Sequence, residues 1–327
     1  MERIDPRERY SQHAKSAATP PEVLREALRA FGVSPEAFAL RKLSGGFMNA
    51  NYVAEGGGRR LLVRVYSTSM HYARKEHDLL RLLGAHPVRV PESFAAMDLL
   101  GVPVVLMEFL DGVTLEERLR LDPPTGLGIY RDVGRELGEI HRVTFSDAGF
   151  LGPGAKPGKE YENFSAFLGE FIRRTLKQLE AQPERLAPEV NARFRRLLEG
   201  AWYIPLATEP TRQLVHADFN PKNILVTRDP DPKVLGVIDW EFADSGNGLI
   251  DIGNFFRFEY DYPSGARAAF VEGYRGVQPA LPARWEEAAR LLDLANMCSF
   301  LERSEDYQKS FRTARAVILG TLEHFGY

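Results

Sequence analysis

The chain has 327 residues, with 42 Lys+Arg against 45 Asp+Glu and a formal net charge of −3, and 44% of it is hydrophobic. This is an ordinary globular composition, without the strong basic footprint that general nucleic-acid binding requires. The single Cys298 excludes an intrachain disulfide or a Cys-based zinc site and fits a reducing cytoplasm; residues 1–20 hold no apolar signal core, and no apolar run approaches the ~18 residues of a membrane span.

In chain order, Thr19-Pro20-Pro21-Glu22 reads as a helix start, with a Thr cap, Pro in the first turn and Glu three positions on. Leu24, Leu28 and Phe31 make its apolar stripe, and Gly32 ends it. Residues 38–43, residues 50–54, the Gly56-Gly57-Gly58 turn and residues 61–66 predict an antiparallel meander. Leu79, Leu80, Leu82 and Leu83 give residues 71–83 helical periodicity, and residues 87–96 and 102–109 predict two more strands. Helical patterns then take over, at 115–121, 129–142, 164–179, 188–198 and 284–301. The Pro/Gly-rich run 150–158 predicts a surface loop, and one strand pair, 223–227 and 234–238, flanks the turn at Arg228-Asp229-Pro230-Asp231. Strands followed by helices argue for an α+β protein of two lobes, residues 1–109 and 110–327, joined near residues 108–112.

The densest chemistry lies in Leu214-Val-His216-Ala-Asp218-Phe-Asn-Pro-Lys222-Asn223-Ile-Leu-Val226. Two β-prone runs flank a polar loop in which Asp218 precedes Asn223 by five residues, and sixteen residues later Val237-Ile238-Asp239-Trp240-Glu241 delivers a carboxylate at a strand end. Asn223 and Asp239 can converge there as hard oxygen ligands suited to Mg²⁺, leaving Asp218 to orient a hydroxyl and accept its proton. An ordinary Asx turn at Asp218-Phe-Asn220-Pro221 is the simpler reading of the loop alone. His216 reads as a buried imidazole bonded to the loop backbone; Lys222 is either a counter-charge for a transferred phosphate or a solvated lysine.

At these residues the sequence resembles the kinase-like phosphotransferases, and most closely the aminoglycoside phosphotransferase family. His216-Ala-Asp218 stands for the His-Arg-Asp of protein kinases, with the same Asp-to-Asn spacing, and Asp239-Trp-Glu241 stands for Asp-Phe-Gly with no Ala-Pro-Glu after it. These departures point to small-molecule kinases and away from protein kinases. The resemblance implies a bilobal protein-kinase-like fold, with an antiparallel-sheet N-lobe and a mainly helical C-lobe. It also implies transfer of the γ-phosphoryl group of ATP or GTP, with Mg²⁺, to a small-molecule hydroxyl: an aminoglycoside, an amino alcohol, a sugar or a homoserine-like compound.

By the same resemblance, the loop Ser44-Gly45-Gly46-Phe47-Met48-Asn49 covers the phosphates. Arg64 stands where the family has a lysine for the α/β-phosphates, and Glu76 is its partner. The Glu108 carbonyl and Leu110 N–H hold the adenine edge, and Asp251 caps a helix or braces the catalytic loop. The plainer alternatives are a surface cation on an edge strand for Arg64 and a solvated helix face for Glu76. Glu259, Asp261, Glu302, Glu305 and Asp306 are candidate amine-recognising carboxylates or plain surface charges. The lysine-to-arginine departure keeps a second class open, a catalytically weak nucleotide-binding regulatory protein. With 33 Arg to nine Lys in the chain, Arg64 also follows a chain-wide preference.

Overall fold

The computed structural model describes residues 3–5, 9, 19–43, 49–121, 126–208, 212–278 and 281–327. Its first half is a five-stranded antiparallel sheet built from β1 (Ala39–Lys42), β2 (Ala50–Gly56), β3 (Arg59–Val65), β4 (Ser93–Leu99) and β5 (Val102–Glu108), in the order β1-β2-β3-β5-β4. Two helices sandwich it, α1 (Pro21–Ala30) and α2 (Met70–Leu83). Strand alternation allocates the side chains: Leu61, Val63, Val65, Val104 and Leu106 pack with Val23, Leu24, Ala27 and Leu28 of α1, whereas Val105 and Met107 join Leu79, Leu80 and Leu83 of α2. The period of two therefore turns Arg64 to the α2 face, where Glu76 lies.

The second half is helical. After β6 (Val113–Thr114) come α3 (Leu115–Leu121), α4 (Leu127–Ile140), the hairpin β7 (Ala148–Gly152) and β8 (Lys156–Tyr161), α5 (Phe164–Gln178), α6 (Pro188–Ala201) and α7 (Tyr203–Ala207). The strands β9 (Gln213–Val215), β10 (Ile224–Val226), β11 (Val234–Val237) and β12 (Asp244–Gly246) follow, then α8 (Leu249–Phe256), α9 (Ala266–Arg275), α10 (Trp285–Leu301) and α11 (Gln308–His324). Two small sheets, β11-β10-β6 and β8-β7-β12-β9, carry the loops that matter. β9 enters the His216–Asn223 loop and β10 leaves it, while β11 runs into Asp239 and β12 departs after it.

Several expectations change. Residues 150–158 are not a surface loop: they lie in the β7–β8 hairpin, turned at Gly154 (φ +78°) and Ala155 (φ +50°), because β7 pairs onto β12. Short strands with Pro157 at the sheet edge give little local pattern. The strand expected from residue 87 starts at Ser93, since the Arg89 backbone is used elsewhere: its N–H donates to Glu136 Oε1 (2.5 Å) and its carbonyl accepts from Val237 N–H (2.8 Å). Thr19 does not cap α1; Pro20 takes that place. α8, α9 and α11 lie outside the patterns singled out in the sequence. Ile4 and Arg9 rest on the helical half, where the Ile4 N–H donates to the Tyr260 hydroxyl (3.3 Å), Arg9 pairs with Asp261, and the Arg9 carbonyl accepts from the Thr313 hydroxyl (2.6 Å).

Helix contacts are close where side chains are absent. A Cβ on Gly134 of α4 would sit 2.0 Å from the Phe270 carbonyl oxygen of α9, and one on Gly253 of α8 would sit 2.1 Å from that of Ala289 in α10. The α8–α10 contact also buries an ion pair, with Arg257 Nε to Asp293 Oδ2 at 2.8 Å and Nη2 to Oδ1 at 2.5 Å. Both side chains are under 5% exposed. Asp293→Ala strands that guanidinium, so urea titration should show a loss of about 3–5 kcal/mol; an unchanged midpoint would mean that the pair contributes nothing.

Candidate active site

The loop between β9 and β10 is fixed from beneath by one carboxylate. Asp251, fully buried in the first turn of α8, accepts from the His216 N–H at Oδ2 (2.7 Å) and from the Ala217 N–H at Oδ1 (2.8 Å). It therefore braces the loop and does not cap the helix, whose N-cap is Gly248. Ala217 lies in the left-handed region at φ +65°, a conformation that costs about 1–2 kcal/mol for a residue with a Cβ. His141, buried at the end of α4, joins the same carboxylate at 3.3 Å through Nε2, with its Nδ1 2.9 Å from the Tyr274 hydroxyl. His216 accepts from the Asp218 N–H at Nδ1 (3.2 Å), so its Nε2 carries the proton donated to the Ile238 carbonyl (3.0 Å). That bond ties the loop to the strand end bearing Asp239.

The Asp218 carboxylate is half-buried and accepts from Asn220 Nδ2 at Oδ1 (2.8 Å) and from Asn223 Nδ2 at Oδ2 (2.9 Å). Burial pushes its pKa above the usual carboxylate value, and the nearby Asp239 charge adds to this. Asn223 also donates to the Asp218 carbonyl (2.9 Å), so both of its N–H groups face inward and its oxygen accepts nothing among the described residues. Asp239 adopts φ 71°, ψ 58°, which a short polar side chain tolerates, and its side chain is 31% exposed. An amide oxygen and a carboxylate are the hard donors that Mg²⁺ takes alongside substrate phosphates, so the pair fits the implied ion. Among the described residues no cluster of three or more His, Cys, Asp or Glu offers an all-protein cage.

From the other lobe, Arg64 reaches into this corner. Its Nε lies 3.2 Å from Glu76 Oε2, and its Nη2 pairs with Asp239 Oδ1. Glu76 further accepts from the Trp240 N–H (3.2 Å) and from the Tyr66 hydroxyl. Burial raises the Glu76 pKa, against the pull of Arg64. Beside it, Asn49 Nδ2 donates to Glu241 Oε2 (3.1 Å), and burial followed by the Asp239 charge pushes Glu241 up to about 7. Gly45 and Gly46 lie outside the described residues.

Asp218 and Asn223 thus form one hydrogen-bonded pair and Asp239, Arg64 and Glu76 one ionic chain, and the two are joined through the Ile238 backbone and by the charge of Asp239 on Asp218. Glu108 and Leu110 stand apart from them. Glu108 pairs with Leu61, three residues along β3 from Arg64, which is about 10 Å of strand. The Glu108 N–H is taken by the Glu92 carbonyl (2.8 Å), and the Leu110 carbonyl accepts from the Gly112 N–H (3.1 Å). Glu259 pairs with Arg267 and with Arg290 (3.5 Å), Asp261 with Arg9, and Glu305 with Arg185, while Glu302 accepts from the Thr175 hydroxyl (2.6 Å). Four of the five carboxylates offered for amine recognition are thus engaged within the chain.

The profile of the phosphotransferase enzyme family (APH) matches residues 39–289, over three-quarters of the chain. The chain belongs to that family. Among curated relatives of this phosphotransferase-family chain, a homoserine kinase of Methylobacterium sp. (strain 4-46) is 28% identical over 229 residues, 68% of this chain and 63% of the relative. The Arabidopsis thaliana protein named "Probable acyl-CoA dehydrogenase IBR3" is 27% identical over 242 residues, 68% of this chain but 28% of that protein. The chain thus spans under a third of the latter and less than two thirds of the former. Among solved structures, aminoglycoside phosphotransferase APH(4)-Ia with AMP-PNP and hygromycin B superposes with a TM-score of 0.66 at 20% identity, covering 90% of this chain and 97% of that one. APH(2")-IIa with gentamicin gives 0.63 at 16%, covering 94% and 97%. The fold is the kinase-like one, an antiparallel-sheet N-terminal lobe on a helical C-terminal lobe.

The phosphotransferase-family site also uses residues that the sequence left unremarked. Tyr66, His141 and Tyr274 each hold a carboxylate or its partner, and Asn254 links the loop to α8, donating to the Phe219 carbonyl (3.2 Å) and accepting from Arg257 Nη2 (2.9 Å). Their only signal is a polar residue inside an apolar helical or strand pattern. Lys222, half-buried with Nζ 3.9 Å from Glu116 Oε1, is pushed down to about 8 by burial. It is charged below that pH and neutral above it. If its charge serves transfer, kcat/KM should fall as pH rises through about 8, and Lys222→Arg, which stays charged, should remove that limb; an unchanged limb in Lys222→Arg would clear Lys222 of the role.

Proposed function

We propose that the chain is a small-molecule kinase, transferring the γ-phosphoryl group of ATP or GTP to a hydroxyl with Mg²⁺. The observation that supports it most is that Asp239, paired with Arg64–Glu76 of one lobe, follows directly on Ile238, whose backbone is bonded to His216 and Asn223 of the Asp218–Asn223 loop, so that its charge acts on Asp218. Asp218, aimed by two amides, orients the acceptor hydroxyl and takes its proton late, since a loose transition state needs positioning more than a strong base. Asn223 and Asp239 would hold Mg²⁺, which when bound neutralises charge on the phosphates. Arg64 serves the α/β-phosphates, and the strand distance back to Glu108 matches a nucleotide laid along β3 with its base at the Glu108 carbonyl and Leu110 N–H. By the family resemblance Gly45 and Gly46, outside the described residues, are assigned to the phosphates. Work on ATP with a lone buried cysteine suits the cytoplasm.

The neighbours carry AMP-PNP, hygromycin B and gentamicin, and one relative is named for homoserine. With Glu259, Asp261 and Glu305 neutralised by arginines, an acceptor without clustered amines is favoured over a polycation: a homoserine-like compound, an amino alcohol or a sugar. The test is coupled ADP release with ATP and GTP over aminoglycosides, homoserine, amino alcohols, sugars, nucleosides and a hydroxyacyl thioester. Mg²⁺-dependent release with one class is expected. Arg64 in the lysine position favours one other reading, a nucleotide-binding regulatory protein, and metal-independent binding without release from any acceptor would establish it.

A further inference from the structure

Phosphoryl transfer as proposed requires Asp239 to meet a divalent cation, yet that carboxylate already has a cation of its own. The Arg64 guanidinium bridges two carboxylates, with its Nε edge 3.2 Å from Glu76 Oε2 and its Nη2 on Asp239 Oδ1. The two ends of this bridge are unequal. Glu76 is 1% exposed and is also held by the Trp240 N–H and the Tyr66 hydroxyl, whereas the Asp239 side chain is 31% exposed and has no other hydrogen-bond donor among the described residues. The Arg64 Nε makes no well-aligned hydrogen bond, so its hold on Glu76 is chiefly one of charge. A planar fork can span two carboxylates at once, which a single ammonium does less well.

We propose that Arg64 is an exchangeable internal counter-ion, which occupies Asp239 in the nucleotide-free protein and is displaced from it when a divalent cation binds. Glu76, Tyr66 and Trp240 form the fixed half of the device, and the Arg64–Asp239 contact is the half that opens. A bare lysine-to-arginine exchange thereby becomes a device that keeps the metal site closed until a cation of higher charge arrives. The proposal rests on the reading of Asp239 as a metal ligand, but not on turnover or on any acceptor.

The test uses the full chain without nucleotide. Mn²⁺ binding is followed by electron paramagnetic resonance in the wild type, Arg64→Lys, Arg64→Met and Lys75→Met. Lys75 is a buried neighbour whose charge faces Asp244 and Glu241. Arg64→Met is expected to bind Mn²⁺ at least ten-fold more tightly than the wild type, with Arg64→Lys between them and Lys75→Met within about three-fold of the wild type. In parallel, the Arg64 Nε–H signal, identified by its loss in Arg64→Lys, should shift with added Mg²⁺ at the concentrations that displace Mn²⁺. Equal affinities in the wild type and both Arg64 variants, an equal gain in Lys75→Met, or an Arg64 signal unmoved at saturating Mg²⁺ would overturn the proposal. Should Arg64→Met fail to fold, Arg64→Lys and the Arg64 signal still decide. A chain that exchanges Arg64 for metal yet phosphorylates nothing would sink the proposed function and leave this inference standing.

Discussion

Asp218→Asn is expected to lower kcat by about 10³-fold, within the range assigned to a positioned proton acceptor. The size of the loss follows from the hydrogen bonds. Asn220 Nδ2 and Asn223 Nδ2 donate to the two different carboxylate oxygens of Asp218, so an amide at 218 must turn its own N–H₂ towards one of them. The substitution therefore removes the proton acceptor and also sets two donors face to face beside the atom that would hold the metal. Nucleotide binding should stay within about three-fold, because the base and the α/β-phosphates are assigned to Glu108, Leu110 and Arg64. Single-turnover phosphoryl transfer and fluorescent-nucleotide titration together check this. A variant that keeps its rate would remove Asp218 from the chemistry, and one that loses nucleotide binding as well would show that the loop, and not the carboxylate, was destroyed.

Asp251→Ala should act at a distance and still cost about 10²-fold in kcat, the effect expected when a reacting group is misplaced by about 1 Å. Removing this carboxylate leaves the His216 and Ala217 N–H groups without acceptors in a buried setting, each at about 1–3 kcal/mol. It also withdraws what holds Ala217 at φ +65°. The variant should thus lose both stability in urea and turnover measured well below its melting temperature, while Asp251→Asn, which keeps one acceptor oxygen, should fall between. Full kcat in a destabilised Asp251→Ala protein would make the brace a folding element alone.

The candidate site was legible where its chemistry is local. Asp218 and Asn223 lie five residues apart in one loop flanked by strands, a spacing that lets them converge and that the family resemblance makes telling, and the structure bonds Asn223 Nδ2 to Asp218 Oδ2. Asp239 was legible for a similar reason: β10 and β11 pair as a hairpin, and the Ile238 N–H donates to the Asn223 carbonyl (2.9 Å). Arg64 and Glu76 came through family likeness, and the strand period then explains why they meet. His141, Tyr274 and Tyr66 were not legible, since a buried polar residue in a helical or strand pattern looks the same whether or not its partner exists.

By itself, then, the sequence determined an α+β chain in two parts, most of the strands of its sheet, and the loop that pairs a carboxylate with an amide. These depend on periodicity and short spacing, which act over a few residues. Only the tertiary structure decided that residues 150–158 are drawn into a hairpin by β12, that Arg9 lies on the helical half beside Asp261, and that three of the five carboxylates offered for amine substrates, Glu259, Asp261 and Glu305, are already neutralised by arginines. It also decided that Arg64, one of 33 arginines, bridges Glu76 and Asp239. For most of these the physical reason is the same. A hydrogen bond or ion pair between residues far apart in sequence, such as Arg9–Asp261, Arg185–Glu305 or Arg64–Asp239, forms only when the packed core brings their elements together, and nothing in the local pattern of either residue records its partner.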